Sequence, residues 1–242
     1  MSGTLMPWHL YGMSTNRRVA IRKDGIYTMK NTKKLAMSAM LIALSAVLAL
    51  ISMAVPLQLP FGGSVTLASM LPIVLVGYMF GIKWGLGSAI VFAFIQMFLG
   101  WGTVSAFFLP GDSQMMWWKA VIVVLIDYIL AYTVLGFSGI FTKKIKKPAL
   151  ALCVGSIFAL TLRYICHIIS GAIFFGTWAE WFFTDVMPGL GEWALSSFSG
   201  GGLALIYSVV YNGLYMIPEI ILTAVLALIV PNLMGKYVKR YE

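Results

Sequence analysis

Six apolar runs constrain this chain more than any other feature, at about 35–55, 66–82, 84–100, 118–142, 149–176 and 203–233. Each is long enough to cross or nearly cross a bilayer core, which takes about 20 predominantly apolar residues. Of the 242 residues 60% are hydrophobic and 10% charged, where a soluble domain carries about 25% charge. The fold expected is an all-α integral membrane protein, a single six-transmembrane-helix bundle over residues 29–242. The second run is short and follows Pro56–Ser64, a stretch rich in proline and glycine. Such turn chemistry suits a folded-back element, tolerable at membrane depth only when buried in protein.

Charge sets the expected orientation. Fifteen of the seventeen Lys and Arg residues fall before run one, between runs two and three, between runs four and five, or after run six. All these positions lie on one side of a six-span bundle, and only Lys119 and Arg163 fall elsewhere. Positive residues mark the cytoplasmic face, so both termini are expected in the cytoplasm of a multi-pass plasma-membrane protein. A net charge of +9 placed in short clusters between spans fits anionic membrane lipid, and no nucleic-acid partner is expected. Asp112, Glu180, Asp185 and Glu192 fall in the outer loops. Carboxylates there either favour a cationic solute or are simply solvated. The outer loops also hold Trp101, Phe107, Phe108, Trp117, Trp118, Trp178, Trp181, Phe182, Phe183 and Trp193, read mostly as an interfacial aromatic belt.

Residues 1–28 read as a disordered basic N-terminal extension, and Met29 opens a compact basic run before the first span. The apolar run that follows is too long for a signal peptide and lacks a cleavage site. Cys153 and Cys166 sit inside apolar runs, where cysteine acts as a small apolar residue. With one histidine in the spans, no metal and no cofactor are expected.

Within this apolar frame a few polar residues stand out. Arg163, His167, Gly171 and Phe175 recur every four residues, so a helix sets them along one side. An arginine at the centre of a span costs about 2.5–3.5 kcal/mol unless something polar meets it. Span four carries Asp127 and Tyr128; span six carries Tyr207, Tyr211, Asn212 and Tyr215, then Pro218 and Glu219. One reading is structural: Asp127 neutralises Arg163, with tyrosine hydroxyls as glue between helices. The other is a pocket. A carboxylate, an amide, phenols, an imidazole and Phe175 suit a flat, positively charged heteroaromatic ligand with amino groups. Glu219 follows a proline that interrupts the helix ladder and is read as capping freed backbone groups or facing a partner.

Span one shows Ala39 and Ala43 four apart among small neighbours. Such a flat face lets another helix approach closely, either inside the bundle or as a subunit docking surface. The chain contains no Gly-x-x-x-x-Gly-Lys-Ser/Thr stretch, so it carries no P-loop of its own, and Gly77–Lys83 fails the spacing. Ser199 with His167 does not make a serine-protease dyad, because the glycine expected two residues before the nucleophile is absent.

Taken together, five features carry a family resemblance. They are the alanine face of span one, the stretch Leu59–Ile73, the pair Asp127-Tyr128, the series Arg163, His167, Gly171, and Tyr207 with Asn212. From about residue 29 to 242 the chain resembles the thiamine-specific S-component, the substrate-binding subunit, of energy-coupling-factor (ECF) vitamin transporters. The resemblance implies a non-enzymatic subunit that binds thiamine from outside with high affinity and takes part in its uptake. It implies that Asp127 engages the aminopyrimidine and that Tyr128 lines the site. His167 would stack near the thiazolium and Phe175 on the pyrimidine, Tyr207 and Asn212 would supply hydrogen bonds, and Gly171 would leave room for the rings. Arg163 occupies the family's basic position and is expected to balance Asp127. Ala39 and Ala43 would dock on a transmembrane T-component that carries two cytoplasmic ATPases, and the loop before span two would be the gate.

This chain departs from the family pattern in having Asp127 where Glu is usual, Arg163 for Lys and Phe175 for Trp. It also has a longer outer loop at 177–202, and no gate tryptophan stands in Phe61–Ser64. An S-component for a thiamine precursor or another vitamin is therefore a second reading. A stand-alone proton-coupled carrier, with Asp127, Arg163 and His167 as relay, is a third.

Overall fold

The computed structural model describes residues 13–54, 59 and 63–234, with side chains from Asn31 onward. Apart from one isolated bridge residue, Ser64, the regular structure of the described residues is helical. The chain divides into two units, Met1–Met40 and Leu41–Glu242. Within the first, the backbone is helical from Met13 and belongs to α1 (Met13–Met53), which continues into the second. Residues 1–12 and the C-terminal basic residues Lys236, Lys239 and Arg240 lie outside the described residues.

Five helical segments are long and apolar enough to cross a membrane: Asn31–Met53, Ile82–Leu99, Trp117–Phe141, Pro148–Phe174 and Gly200–Leu233. These coincide, within a few residues, with five of the six expected runs. The run at 66–82 behaves differently. Its helix, α2 (Leu71–Phe80), has ten residues and is about 15 Å long at 1.5 Å per residue, half of a bilayer core of about 30 Å. The residues before it form a non-helical loop, in which Ala68 takes φ 58°. Pro72 then starts the helix, where a missing N–H is harmless. Nine of its ten residues are buried, so α2 packs inside protein. At its end Gly81, with φ 86°, turns the chain directly into α3 (Ile82–Leu99).

A short helix, α4 (Trp101–Ala106), and a loop lead to α5 (Trp117–Phe141). Helix α5 is irregular: α-helical over Trp117–Val124, a wide π turn over Leu125–Leu130, and a tight 3-10 stretch over Val134–Phe141. The tight stretch carries Gly136, Ser138 and Gly139 into the crossing with α2 and α3. A Cβ on Gly136 would stand 2.6 Å from the backbone carbon of Gly85, and one on Gly85 would stand 2.7 Å from the Gly77 Cα. Backbone therefore meets backbone at these glycines, and Ser138 Oγ donates to the Val74 carbonyl at 2.8 Å. Such small-residue crossings are how helices associate where lipid removes the hydrophobic drive.

After a short basic turn, α6 (Pro148–Phe174) runs back alongside α5. The expected outer loop at 177–202 is largely helical. Turns over Gly176–Trp178, Ala179–Trp181 and Phe182–Val186 precede α7 (Pro188–Ser197). Phe182 and Phe183 are fully buried against Tyr207 and Tyr211, so these two, with buried Phe107, leave the expected aromatic belt and act as core. Trp101, Trp117, Trp118 and Trp193 remain exposed, as a belt requires. Finally α8 (Gly200–Met234) packs along α6. Ser45, Ala49 and Ser52 of α1 are buried, whereas Ala43, Leu44 and Val47 are exposed, as is Ala39. Ala43 is thus not used for packing within the second unit.

Candidate ligand-binding site

The span-four polar pair sits on the π turn of α5, a widened turn that inserts one residue and re-aims its neighbours. Asp127 and Tyr128, both within Leu125–Leu130, together line a cavity of about 340 Å³. That volume falls in the range of small-molecule sites, about 300–1,000 Å³. All eight residues expected to form a binding site line this one cavity: Asp127, Tyr128, Arg163, His167, Gly171, Phe175, Tyr207 and Asn212. The wall also includes Ala49 and Met53 of α1, Gly63, Ser64 and Thr66 of the loop before α2, and Gln96 of α3.

Inside the cavity wall the pairing differs from the expected one. Asp127 does not meet Arg163. Its Oδ1 lies 2.9 Å from His167 Nδ1, and its Oδ2 accepts from Ser170 Oγ at 2.6 Å. Arg163 instead donates to the Tyr132 hydroxyl at 3.1 Å, its guanidinium lying 4.4 Å from the centre of that ring. Neighbouring helices joined by a short turn run antiparallel. Moving down α5 from Asp127 to Tyr132 therefore corresponds to moving back along α6 from His167 and Ser170 to Arg163. The acid is level with the imidazole, and the phenol is level with the guanidinium. Spacing along either helix alone cannot give that register.

Helix α8 holds α6 in place at the same level. Ser208 Oγ donates to the Ile168 carbonyl at 2.8 Å, Asn212 Nδ2 to the His167 carbonyl at 3.3 Å, and the Tyr164 hydroxyl to the Val209 carbonyl at 2.6 Å. Gly171 makes the approach possible, since a Cβ there would collide with Ser208 Oγ and come 3.1 Å from Asn212 Nδ2. Gly171 thus makes room for helix α8. Asn212 is more engaged than expected: its Nδ2 also donates to the Ser208 carbonyl at 2.9 Å, and its Oδ1 accepts from the Tyr215 hydroxyl at 2.7 Å.

Among the described residues, His167 Nε2 and Arg163 Nε of the wall are buried without a hydrogen-bond partner, in residues only 8% and 6% exposed. The Tyr207 ring packs 5.3 Å from that of Phe182. A buried polar atom left unpaired costs about 1–3 kcal/mol, so this wall favours a ligand that is itself polar at its edges. Phe175, just past the end of α6, has its ring centre 5.9 Å from that of Phe107, so a second phenylalanine joins it in the cavity wall.

Tyr132, Ser170 and Gln96 were missed by sequence reasoning because tyrosines, serines and glutamines in spans are common helix glue. Ser170 had one usable signal: it stands three residues from His167, on the same helix face. Glu219 neither caps α8 nor faces outward. It is 1% exposed and accepts both the Thr66 N–H and the Thr66 hydroxyl. Among the described residues no cluster of His, Cys, Asp and Glu could hold a metal ion.

Residues 35–183 match the family described as thiamine transporter protein. Thiamine transporter ThiT of Bacillus subtilis (strain 168) is 30% identical over 178 residues, covering 70% of this chain and 75% of that protein. The solved structure of ThiT from Listeria monocytogenes is similar in fold, with TM-score 0.57 and 21% identity, covering 87% of this chain and 99% of that one. The chain therefore belongs to the thiamine transporter protein family, a multi-pass transport protein of the cell membrane and not an enzyme.

Proposed function

We propose that the chain is a thiamine-binding subunit that takes thiamine from the outer side with high affinity and works as the S-component of an ECF-type, ATP-driven transporter. One observation carries the binding half of this reading: the eight residues singled out from the sequence converge on a single cavity of about 340 Å³. In this proposal Asp127, held by His167 and Ser170, accepts from the aminopyrimidine, and Tyr128 and Tyr207 line the rings. Phe175, backed by Phe107, stacks on the pyrimidine, and His167 faces the thiazolium. Asn212 and Gly171 set the width of the site. Arg163, lying on Tyr132 and not on Asp127, leaves the carboxylate free to answer the ligand's own positive charge.

The energising half rests on two features. The chain has no P-loop, so ATP would be hydrolysed by two cytoplasmic ATPases joined through a T-component. Ala39 and Ala43 are exposed, as docking on that component requires. The remaining parts of the proposal are a six-span membrane domain over 29–242, with α2 as the short member, cytoplasmic termini, and residues 1–28 as an extension outside that domain.

The test is a thiamine titration of purified protein followed by intrinsic tryptophan fluorescence. Saturable binding at nanomolar to micromolar concentration is expected, and its absence overturns the thiamine reading. Competition with a vitamin panel follows, and a precursor that outcompetes thiamine would reassign the ligand. Liposomes containing the protein alone are expected to show no uptake under a pH gradient. Uptake there would establish a self-sufficient carrier instead.

A further inference from the structure

The loop before α2 is fastened to the bundle at points far apart in sequence, and the strongest fastening is a buried acid that does not itself line the cavity. Glu219 Oε2 accepts the Thr66 N–H at 2.7 Å and Oε1 accepts the Thr66 hydroxyl at 2.8 Å, across 153 residues of chain. Ser69 Oγ donates to the same Thr66 hydroxyl oxygen at 2.9 Å. One residue on, the Leu67 N–H donates to Ser52 Oγ of α1 at 2.8 Å. On the other side Gly63, with φ 84°, lies against the Tyr215 ring, where a Cβ would stand 2.6 Å from Cε1.

Gly63, Ser64 and Thr66 are cavity wall, and Glu219 is not. Since Glu219 is 1% exposed, its cost of burial is repaid only through donors such as those of Thr66. Without them the acid is stranded, and without the acid two donors of Thr66 lose their partner.

We infer that Glu219 is a positioning residue for ligand retention, its carboxylate holding Thr66 so that the Gly63–Thr66 segment forms one wall of the binding cavity. The inference rests on the thiamine reading for its ligand. The acid acts from outside the site, through the backbone of the loop, so its loss raises the rate of ligand escape while leaving the ligand-contacting side chains in place. Glutamine keeps one carbonyl acceptor for the Thr66 N–H and can restore much of the hold.

The experiment compares the full chain with Glu219→Ala, Glu219→Gln and Thr66→Val. Thiamine dissociation is followed by fluorescence after a chase, and amide hydrogen exchange over residues 63–70 is measured without ligand. Dissociation is expected to speed up at least about tenfold in Glu219→Ala, with smaller increases in Thr66→Val and Glu219→Gln, since interface changes act mainly on off-rates. Exchange over 63–70 is expected to rise in the same order. A dissociation rate counts only occupied, folded sites, so mere loss of folded protein does not move it. Unchanged dissociation and exchange in Glu219→Ala overturn the inference, and where that variant does not fold, the same result in Thr66→Val overturns it. If the unaltered chain binds no thiamine, the functional reading fails, while the exchange comparison still decides the role of Glu219.

Discussion

Asp127 and His167, forty residues apart and on different helices, meet at 2.9 Å, and Ser170 closes on the other carboxylate oxygen at 2.6 Å. The carboxylate is thus oriented by two groups from one turn of α6. A hydrogen bond to a charged group contributes about 1.5–3 kcal/mol, enough to hold the acid in a single pose within the cavity.

Asp127→Asn keeps the size of this side chain and removes its charge. Thiamine affinity is expected to fall at least about tenfold, equivalent to about 1.4 kcal/mol. A neutral pyrimidine analogue should lose less, because the lost charge answered the cation. Fluorescence titration of both ligands on both proteins checks this, and equal losses would count against a charge role.

Arg163 and Tyr132 make the second test. The stacked guanidinium is planar, so Arg163→Lys loses the flat contact and the directed hydrogen bond together. A cation–ring contact contributes about 0.5–2 kcal/mol, and thermal unfolding in detergent should fall accordingly. Tyr132→Phe, which keeps the ring and removes the hydroxyl, is expected to lower stability less than Arg163→Lys does.

At Gly171 a methyl group meets Ser208 and Asn212. Gly171→Ala is expected to destabilise by about 1–3 kcal/mol through overpacking of α6 against α8, and to weaken thiamine binding as His167 shifts. Gly87→Ala is the matched control, since a Cβ at Gly87 meets nothing within 4 Å. That substitution is expected to be neutral or slightly stabilising, as alanine favours helix.

Ala43 is exposed on α1. Ala43→Trp is therefore expected to leave folding and thiamine affinity unchanged. ATP-driven uptake in cells carrying the coupling module should fall several-fold or more, because the bulky ring holds a docking helix away. Loss of binding in the purified variant would place Ala43 in the site's support and not on a docking face.

How much of the site was legible depended on which direction in the molecule a residue's role runs. Arg163, His167 and Gly171 share one side of α6 because helical spacing puts them there, and together with Phe175 just past its end they line one cavity. Asp127 and Tyr128 were visible as polar interruptions of an apolar run, and both line the cavity. The π turn at Leu125–Leu130 that carries them is announced by nothing in the local composition. The aromatic loop at 177–202 was read as interface because Trp and Phe are plentiful there. Phe182 and Phe183 became core only because the loop folds into helical turns over Tyr207 and Tyr211.

By itself the sequence determined the helical membrane class, five spans to within a few residues, and the inventory of polar groups within them. All three follow from local physics, hydrocarbon thickness and helix period, which act along the chain. Tertiary structure alone decided the partners. Asp127 pairs with His167 and not Arg163 because antiparallel packing sets their level. Run 66–82 became a ten-residue buried helix because its first residues form a loop, and that loop is fastened by Glu219 from the far end of the chain. Hydrogen bonds between helices depend on register and depth, which no spacing within a single helix records.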